Sequence, residues 1–562
     1  MLCFISAQVF SQAVNAPLDN DYYHLLDRFE IINGSLNQSY HSAHKAYNRK
    51  EIAGFLDSIN TSRFNRRDLF NYNYLSLDNW EWLQEIDYKN EKPILRHIYK
   101  AKTDFLNVHE EEFDLHINPV LAVGLGQESL TGDRLYTNTR GIEIRGSINN
   151  KIGFYTFLTE NQALFPSHVN AYTREFKAVP NEGFWKNYGE NSAAKDFFTA
   201  RGYISLQATK NINLQFGHDR FFIGNGYRSL MLSDFSPAYL HLKAETKIWK
   251  FNYMNIFGLQ TADLFTSGNT LTGARRQYPR KFMAMHHLSY NITKNINVGL
   301  FEAVMLGDSA SAKNPIDINY LNPIIFYRSL EQQDGSAGNA LVGADFRAIF
   351  LKSFSIYSQI VLDEFLIANI REGGWWANKY AVQAGIKYIN AFRISNLDLQ
   401  AEYNLVRPFT YAHDSNFTNF ANYKQPLAHP LGANFKELIG IVRYQVTPRI
   451  SIKAKLMIAE QGLDTANTNY GSNIFKANNT RVRFQNPASG STYDFGHTTG
   501  QGDLNTIQFY QLNLTYQPYY NVFLDLDYSI RNQSSELTSS TAKNTYINAS
   551  LRWNIPTRNQ IF

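Results

Sequence analysis

The side chains in this chain that could do chemistry gather in a few glycine- and proline-shaped stretches, and none of these is a catalytic signature. Gly224-Asn225-Gly226 lacks the third glycine and the following helix of a dinucleotide loop. His286 and His287 are neighbours, and neighbouring side chains on a strand leave by opposite faces, which argues against joint ligation of one metal. The single cysteine, Cys3, allows neither a disulfide nor a thiolate metal site. A barrel lipase would need a Ser–His pair brought together across strands, which spacing does not reveal. The expectation is a non-enzymatic protein with no metal or cofactor.

Three polar-aromatic stretches stand out instead. Residues 216–233 carry Arg220, Tyr227 and Arg228. Residues 320–329 carry Asn322, Tyr327 and Arg328, with Asn339 following. Residues 425–435 carry His429 and Asn434. A fourth candidate, Trp375-Trp376, could stack on sugar rings or sit in an interfacial girdle. These residues suit a carbohydrate- or partner-binding outer mouth, or a lumen constriction. They equally suit segments that fold inward and cap a lumen by packing on one another.

The elements that must position them follow from periodicity. In residues 450–458, Ile450, Ile452, Ala454, Leu456 and Ile458 alternate with Ser451, Lys453 and Lys455, a strand with one apolar and one polar face. Pro448-Arg449 before it leaves room only for a tight reversal. The hairpin recurs from about residue 113 to the end, giving roughly eighteen strands near the ~10 residues of a tilted membrane-crossing strand. Short turns are expected near 150, 210, 247, 294, 353, 394, 448 and 518. Long connections are expected at 129–137, 164–198, 225–236, 263–279, 308–338, 366–377, 410–434, 461–502 and 533–541. Tight turns at one end and long loops at the other mark an outer-membrane barrel, with loops extracellular. In the last strand Ile547, Ala549, Leu551, Trp553 and Ile555 should face lipid, and Asn548, Ser550, Arg552 and Asn554 the lumen. Leu551, Trp553 and Phe562 are candidates for a terminal assembly signal, Trp553 above Phe562.

Composition agrees. Aromatic residues make up 15% of the 562 residues, mean hydropathy is −0.36, and no apolar run reaches the ~18 residues of a spanning helix. A net charge of +5 without a long basic block gives no reason to expect nucleic acid. Residues 1–16 resemble an export leader or its remnant. Residues 17–112 read as a helical periplasmic bundle and connector. Tyr22, Leu25, Leu26 and Phe29 share a helical face ended by Gly34, Asn48 and Glu51 stand at capping-box spacing, and a third helical piece covers residues 67–83. Residues 113–562 form the barrel.

Two of these regions carry a family resemblance. The segment Tyr22-His24-Leu25-Leu26-Asp27-Arg28-Phe29 with Gly34 resembles the start of the Wzi-type capsule-assembly barrels. Stretches 224–233, 321–329 and 425–434 resemble its Bacteroidota members, including gliding-motility proteins of the RemB type. The resemblance implies an outer-membrane barrel of eighteen strands with a small periplasmic helical bundle, and attachment of capsule or exopolysaccharide at the cell surface. Two further functions stay open. One is a passive porin-like channel lined by Lys453, Lys455, Asp525, Asp527 and Glu402. The other is an accessory subunit of an assembly, export or motility complex, docking periplasmic or outer-membrane proteins through the helices, where Phe64, Phe70, Trp80 and Trp82 exceed what a simple plug needs. Expected partners are outer-membrane lipid, surface polysaccharide and such proteins.

Overall fold

The computed structural model describes residues 13–83, 86–91, 98–189, 193–262, 279–307, 316, 318–326, 338–370, 373–485, 489–490 and 492–558. Residues 1–12 of the expected leader 1–16, Tyr327, Arg328 and Phe562 fall outside these residues.

Alternating apolar and polar residues pair into one closed antiparallel barrel of 18 strands. In order these are β1 (Phe113–Glu128), β2 (Arg134–Ile148), β3 (Ile152–Leu164), β4 (Ala194–Thr209), β5 (Ile212–Asp219) and β6 (Tyr239–Ile248). They continue with β7 (Phe251–Thr261), β8 (Arg280–Asn291), β9 (Ile296–Leu306), β10 (Asn339–Phe350), β11 (Phe354–Glu364) and β12 (Lys379–Tyr388). The last six are β13 (Leu397–Val406), β14 (Phe435–Thr447), β15 (Ile450–Leu463), β16 (Asp503–Tyr519), β17 (Val522–Ser535) and β18 (Ser540–Trp553). Closure runs through β18 against β1, from Tyr546 opposite Glu128 to Trp553 opposite Leu121. Closing the sheet removes every edge, so each backbone group finds a partner without water.

The outer wall is an apolar belt. Ile204, Leu206, Leu240, Leu300, Ile360, Leu512, Leu526 and Ile547 all stand exposed on it. Such a belt suits acyl chains. The eight tight turns fall at one end, as the spacing predicts. At the first, Asn149 and Asn150 take φ of 49° and 53°, a conformation asparagine tolerates. Two expected long connections are themselves tight: residues 129–133 and 536–539, because β2 begins earlier, β17 ends later and β18 begins earlier than their alternation suggests.

Four helices form among the described residues: α1 (Asn20–Asn33), α2 (Arg49–Asp57), α3 (Arg66–Asp78) and α4 (Ser167–Phe176). Asp19 caps α1, and Gly34 ends it at φ 76°. Asn48 caps α2 by accepting from the Lys50 amide, while Glu51 reaches Lys247 on the wall instead of closing a capping box. α4 lies inside a connection that the periodicity leaves as loop.

The first three helices sit inside the short-turn end of the lumen. The Arg28 guanidinium donates to Asp398 of β13 at 2.5 Å, to Asp68 of α3 at 3.0 Å and to Asn390 at 2.7 Å. Arg347 of β10 donates to Glu30 at 2.6 Å, and Lys387 of β12 to Asp27. Phe64 stacks on Phe29 at 5.1 Å and Trp80 on Tyr88 at 3.8 Å, so these aromatics are taken up within the chain.

Part of the lumen is a protein core. Residues 220–236 fold inward and bury Phe221, Ile223, Leu230, Met231 and Leu232 against Met254, Met283, Met285, Phe301, Met305 and Leu341 of the wall. Residues 407–434 close over them with Tyr411, Phe420 and Leu427. Here strands such as β8 are apolar on both faces, and the alternation blurs.

Two more departures follow from tertiary packing. Ile555, expected to face lipid, is 7% exposed and packs inside with Val14, Tyr155 and Phe157, because the chain re-enters the lumen after Trp553. Residues 318–326 lie on the outer wall: Tyr320 packs on Phe282, Val304 and Leu306, and the Phe326 amide donates to Glu302 at 2.6 Å.

Candidate functional site

The space left in the lumen is a chain of three adjoining cavities along the wall from β14 through β18 to β4. The central one, about 200 Å³, is lined by Tyr136, Phe165, His168, Tyr227, Arg443, Lys453, Lys455, Phe509, Gln511, Asn513, Asp527 and Tyr546. A second, about 120 Å³, shares Phe165, Tyr227 and Arg558 with it and adds Arg201, Arg220, Arg228, Glu182 and Asp234 under the long loops. A third, about 170 Å³, continues past Arg443 and Lys453 to Arg28, Tyr74 and Arg449 at the short-turn end.

Alternation on β15 aims Lys453 and Lys455 inward. Lys453 donates to Asp21 of α1 at 2.7 Å, and Arg443, opposite it on β14, lies 3.8 Å from the same carboxylate. Burial would raise the Asp21 carboxyl, but these two cations hold it well below the usual carboxylate range. The Lys455 ammonium lies 3.3 Å from the Tyr227 hydroxyl and 5.1 Å from the Phe509 ring centre. Burial would push the Tyr227 phenol up, yet Lys455 and Arg228 beside it bring it below its ordinary value. Asp527 accepts from Gln511 at 2.7 Å and Asn513 at 3.0 Å. The His168 Nδ1 and the Tyr546 hydroxyl are 3.0 Å apart.

The inward loop is held by one carboxylate. Glu402 of β13 accepts from the Tyr227 and Arg228 amides at 2.6 and 3.0 Å, from the Tyr357 hydroxyl at 2.8 Å, and from Asn404 and Gln383 at 3.0 and 3.3 Å. Gln359 accepts from the Leu230 amide at 2.8 Å. Residues Phe222–Ile223 pair with His44–Lys45, joining loop and helical segment.

The sequence-derived candidates therefore part company. Arg220, Tyr227 and Arg228 line the cavities. His429 is fully buried, its Nε2 2.7 Å from Glu437, and burial lowers its imidazole. Asn434 is a clamp: its amide donates to the carbonyls of Gly462 at 2.6 Å and Gln501 at 2.8 Å, and accepts from the Gly500 amide at 2.8 Å. Trp375 leans on Phe495 at 4.9 Å, and the Arg481 guanidinium covers Trp376 at 4.0 Å, both within the long-loop layer. Asn322 makes a local turn to the Ile324 amide on the outer wall, and Asn339 is buried where β10 begins. Trp553 stacks on Tyr99 at 6.4 Å, and Leu551 sits beside it on β18. Of the residues weighed as channel-lining, Lys453, Lys455 and Asp527 face the cavity, Asp525 is paired with Arg552 at 2.5 Å, and Glu402 lies under the loop. Arg443, Gln511, His168 and Tyr546 were missed; strand alternation would have pointed Arg443 and Gln511 inward, while α4 gave no such signal.

Among the described residues one group has metal-ligand geometry: Glu81, Asp114 and His116. His116 lies 2.7 Å from Asp114 and 3.0 Å from Asp104, and Arg145 pairs with Glu81. The Arg145 guanidinium supplies positive charge there, and the cluster ties the connector to β1 and β2. His286 and His287 leave by opposite faces: His287 lies 2.6 Å from both His44 and Asp345 inside, and His286 lies 2.6 Å from Asn255 on the outer wall.

Among curated proteins none matches this chain in sequence. Among solved structures, Wzi of Escherichia coli, described as an outer membrane protein involved in group 1 capsule assembly and a carbohydrate-binding β-barrel, shares the fold at TM-score 0.56. It is 12% identical, over 97% of this chain and 100% of that one. OprD of Pseudomonas aeruginosa aligns at 8% identity and TM-score 0.41, over 78% of this chain and 94% of that one. The family model for capsule assembly protein Wzi matches residues 122–546, from within β1 to within β18. A match of that length, laid over a closed barrel of this size, makes this chain a member of the Wzi capsule assembly family.

Proposed function

We propose that the protein sits in the outer membrane, with helices periplasmic and long loops extracellular, and holds capsular or other surface polysaccharide there without chemical turnover. The observation that carries this reading is the filled lumen. Helices α1–α3, residues 220–236 and residues 407–434 occupy the space a porin leaves open, and what remains is lined by aromatic rings, amides and cations. Such a lining suits sugar rings, which offer C–H faces to aromatics and hydroxyls to amides. Membership in the family and the carbohydrate-binding description of the E. coli barrel favour the same use. A lumen filled down to cavities of this size argues against a passive channel. Gliding adhesion remains one setting for the same attachment.

The test combines two measurements on detergent-purified protein. Surface polysaccharide extracted from the source cells should be retained by the immobilised barrel. Planar bilayers containing the protein should show no large, steady conductance. Porin-like conductance with no retention of glycan would overturn the proposal.

A further inference from the structure

The cations around these cavities are not equally satisfied. Lys453 and Arg443 share Asp21, Arg228 lies 3.4 Å from Glu437, and Arg558 lies 4.0 Å from Glu182. Lys455 and Arg220 differ. Among the described residues the Lys455 ammonium meets the Tyr227 hydroxyl and the rings of Tyr227 and Phe509 at 5.5 and 5.1 Å, and no carboxylate. The Arg220 guanidinium donates to two main-chain carbonyls, of Asp234 at 3.0 Å and Asn181 at 3.3 Å, and also meets no carboxylate. Both face cavities that share Tyr227. A positive side chain in half-buried surroundings is stabilised by a charged acceptor more than by neutral oxygens or ring faces. The chain supplies such acceptors to the neighbouring cations and withholds them here.

Resting on the polysaccharide reading above, we propose that the cavity pair takes an acidic sugar residue. Its carboxylate meets Lys455 and its ring lies against Tyr227 and Phe509 in the central cavity, while Arg220 adds positive charge in the adjoining one. The two cavities together reach the ~300 Å³ at which small-molecule sites begin, enough for one or two sugar rings rather than a chain passing through. The polymer would then be held by a terminal or side-branch uronate, with its bulk above the long loops.

The probes are an oligogalacturonate and the same oligosaccharide after reduction of its carboxyls to alcohols, titrated by calorimetry into the full-length barrel in detergent. The wild type should bind the uronate at least tenfold more tightly than the reduced form. That preference should shrink as salt is raised from 0.05 to 0.5 M, since the screening length falls severalfold over that range. Lys455→Gln should lose about tenfold for the uronate and nothing for the reduced form, and Lys455→Arg should restore binding with an unchanged melting temperature. Equal binding of both probes, unaffected by Lys455→Gln, overturns the acidic-sugar inference and leaves polysaccharide binding standing. Preference for the reduced probe overturns it as well. Binding of neither, with native capsule also unretained, removes both.

Discussion

Replacing Glu402 by glutamine tests whether the inward loop is latched as described. The wild-type carboxylate, 1% exposed, receives five donors between 2.6 and 3.3 Å, two of them the main-chain amides of Tyr227 and Arg228. Glutamine turns one acceptor oxygen into an NH₂, so one of those amides faces a donor. A hydrogen bond to a charged group contributes about 1.5–3 kcal/mol, and a buried donor left unpaired costs about 1–3 kcal/mol. A loss of about 2–3 kcal/mol in latching follows, or roughly 30- to 150-fold in the population of the locally opened loop. The loop does not leave, because Phe221, Ile223, Leu230, Met231 and Leu232 are all at most 3% exposed. At about 1.5–3 kcal/mol each, those five side chains outweigh the lost latch. The expected signature is therefore local. Hydrogen exchange of the Ile223 and Leu230 amides, bonded to Leu232 and Gln359, should quicken by roughly that factor, while conductance stays low and the barrel strands keep their protection. Unchanged exchange at 223–232 would refute the latch, and a steady open pore would refute the apolar anchoring.

Further outcomes follow from the same contacts. Arg28→Met strands Asp68 and Asp398 without their shared cation and should destabilise the helical plug by about 3–5 kcal/mol, read as earlier protease cleavage between residues 20 and 78 on heating. Burial, with Lys247 nearby, lowers His41 to about 3, and burial with His287 lowers His44 well below its ordinary value. Because the unfolded segment takes up protons that the folded one refuses, plug stability should be flat above about pH 6.5 and fall as pH drops from there toward 3, measured as melting temperature against pH. A plug that grows more stable on acidification would contradict this. Asn434→Gly keeps the φ of 60° but loses the side-chain hydrogen bonds to Gly462, Tyr470, Gln501 and Gly500, so loops 407–434 and 464–502 should become protease-sensitive with the barrel intact. Trp553→Ala removes the ring stacked on Tyr99 and should lower the fraction of chain assembled as a heat-modifiable barrel in cells.

The sequence by itself determined the wall. Strand alternation, as in Ile450 to Ile458 against Ser451 to Lys455, depends only on neighbours two residues apart, and it put Lys453 and Lys455 inward before any contact was known. Local capping likewise marked Gly34 and Asn48 as the ends of helices. What fills the wall was decided by tertiary structure. Residues 220–236 look like an outer loop because glycine, proline and serine suit a loop anywhere. Only the apolar inner faces of β7–β10, curved around them by closure of the barrel, turn them into a core. The same holds for Ile555, which continues the alternation of β18 yet turns inward once no partner strand remains to pair it. Which cations keep a counter-charge is likewise invisible in spacing. Lys453 and Lys455 are two residues apart and alike in pattern, but α1 delivers Asp21 to one of them, while the other faces Tyr227 and the cavity.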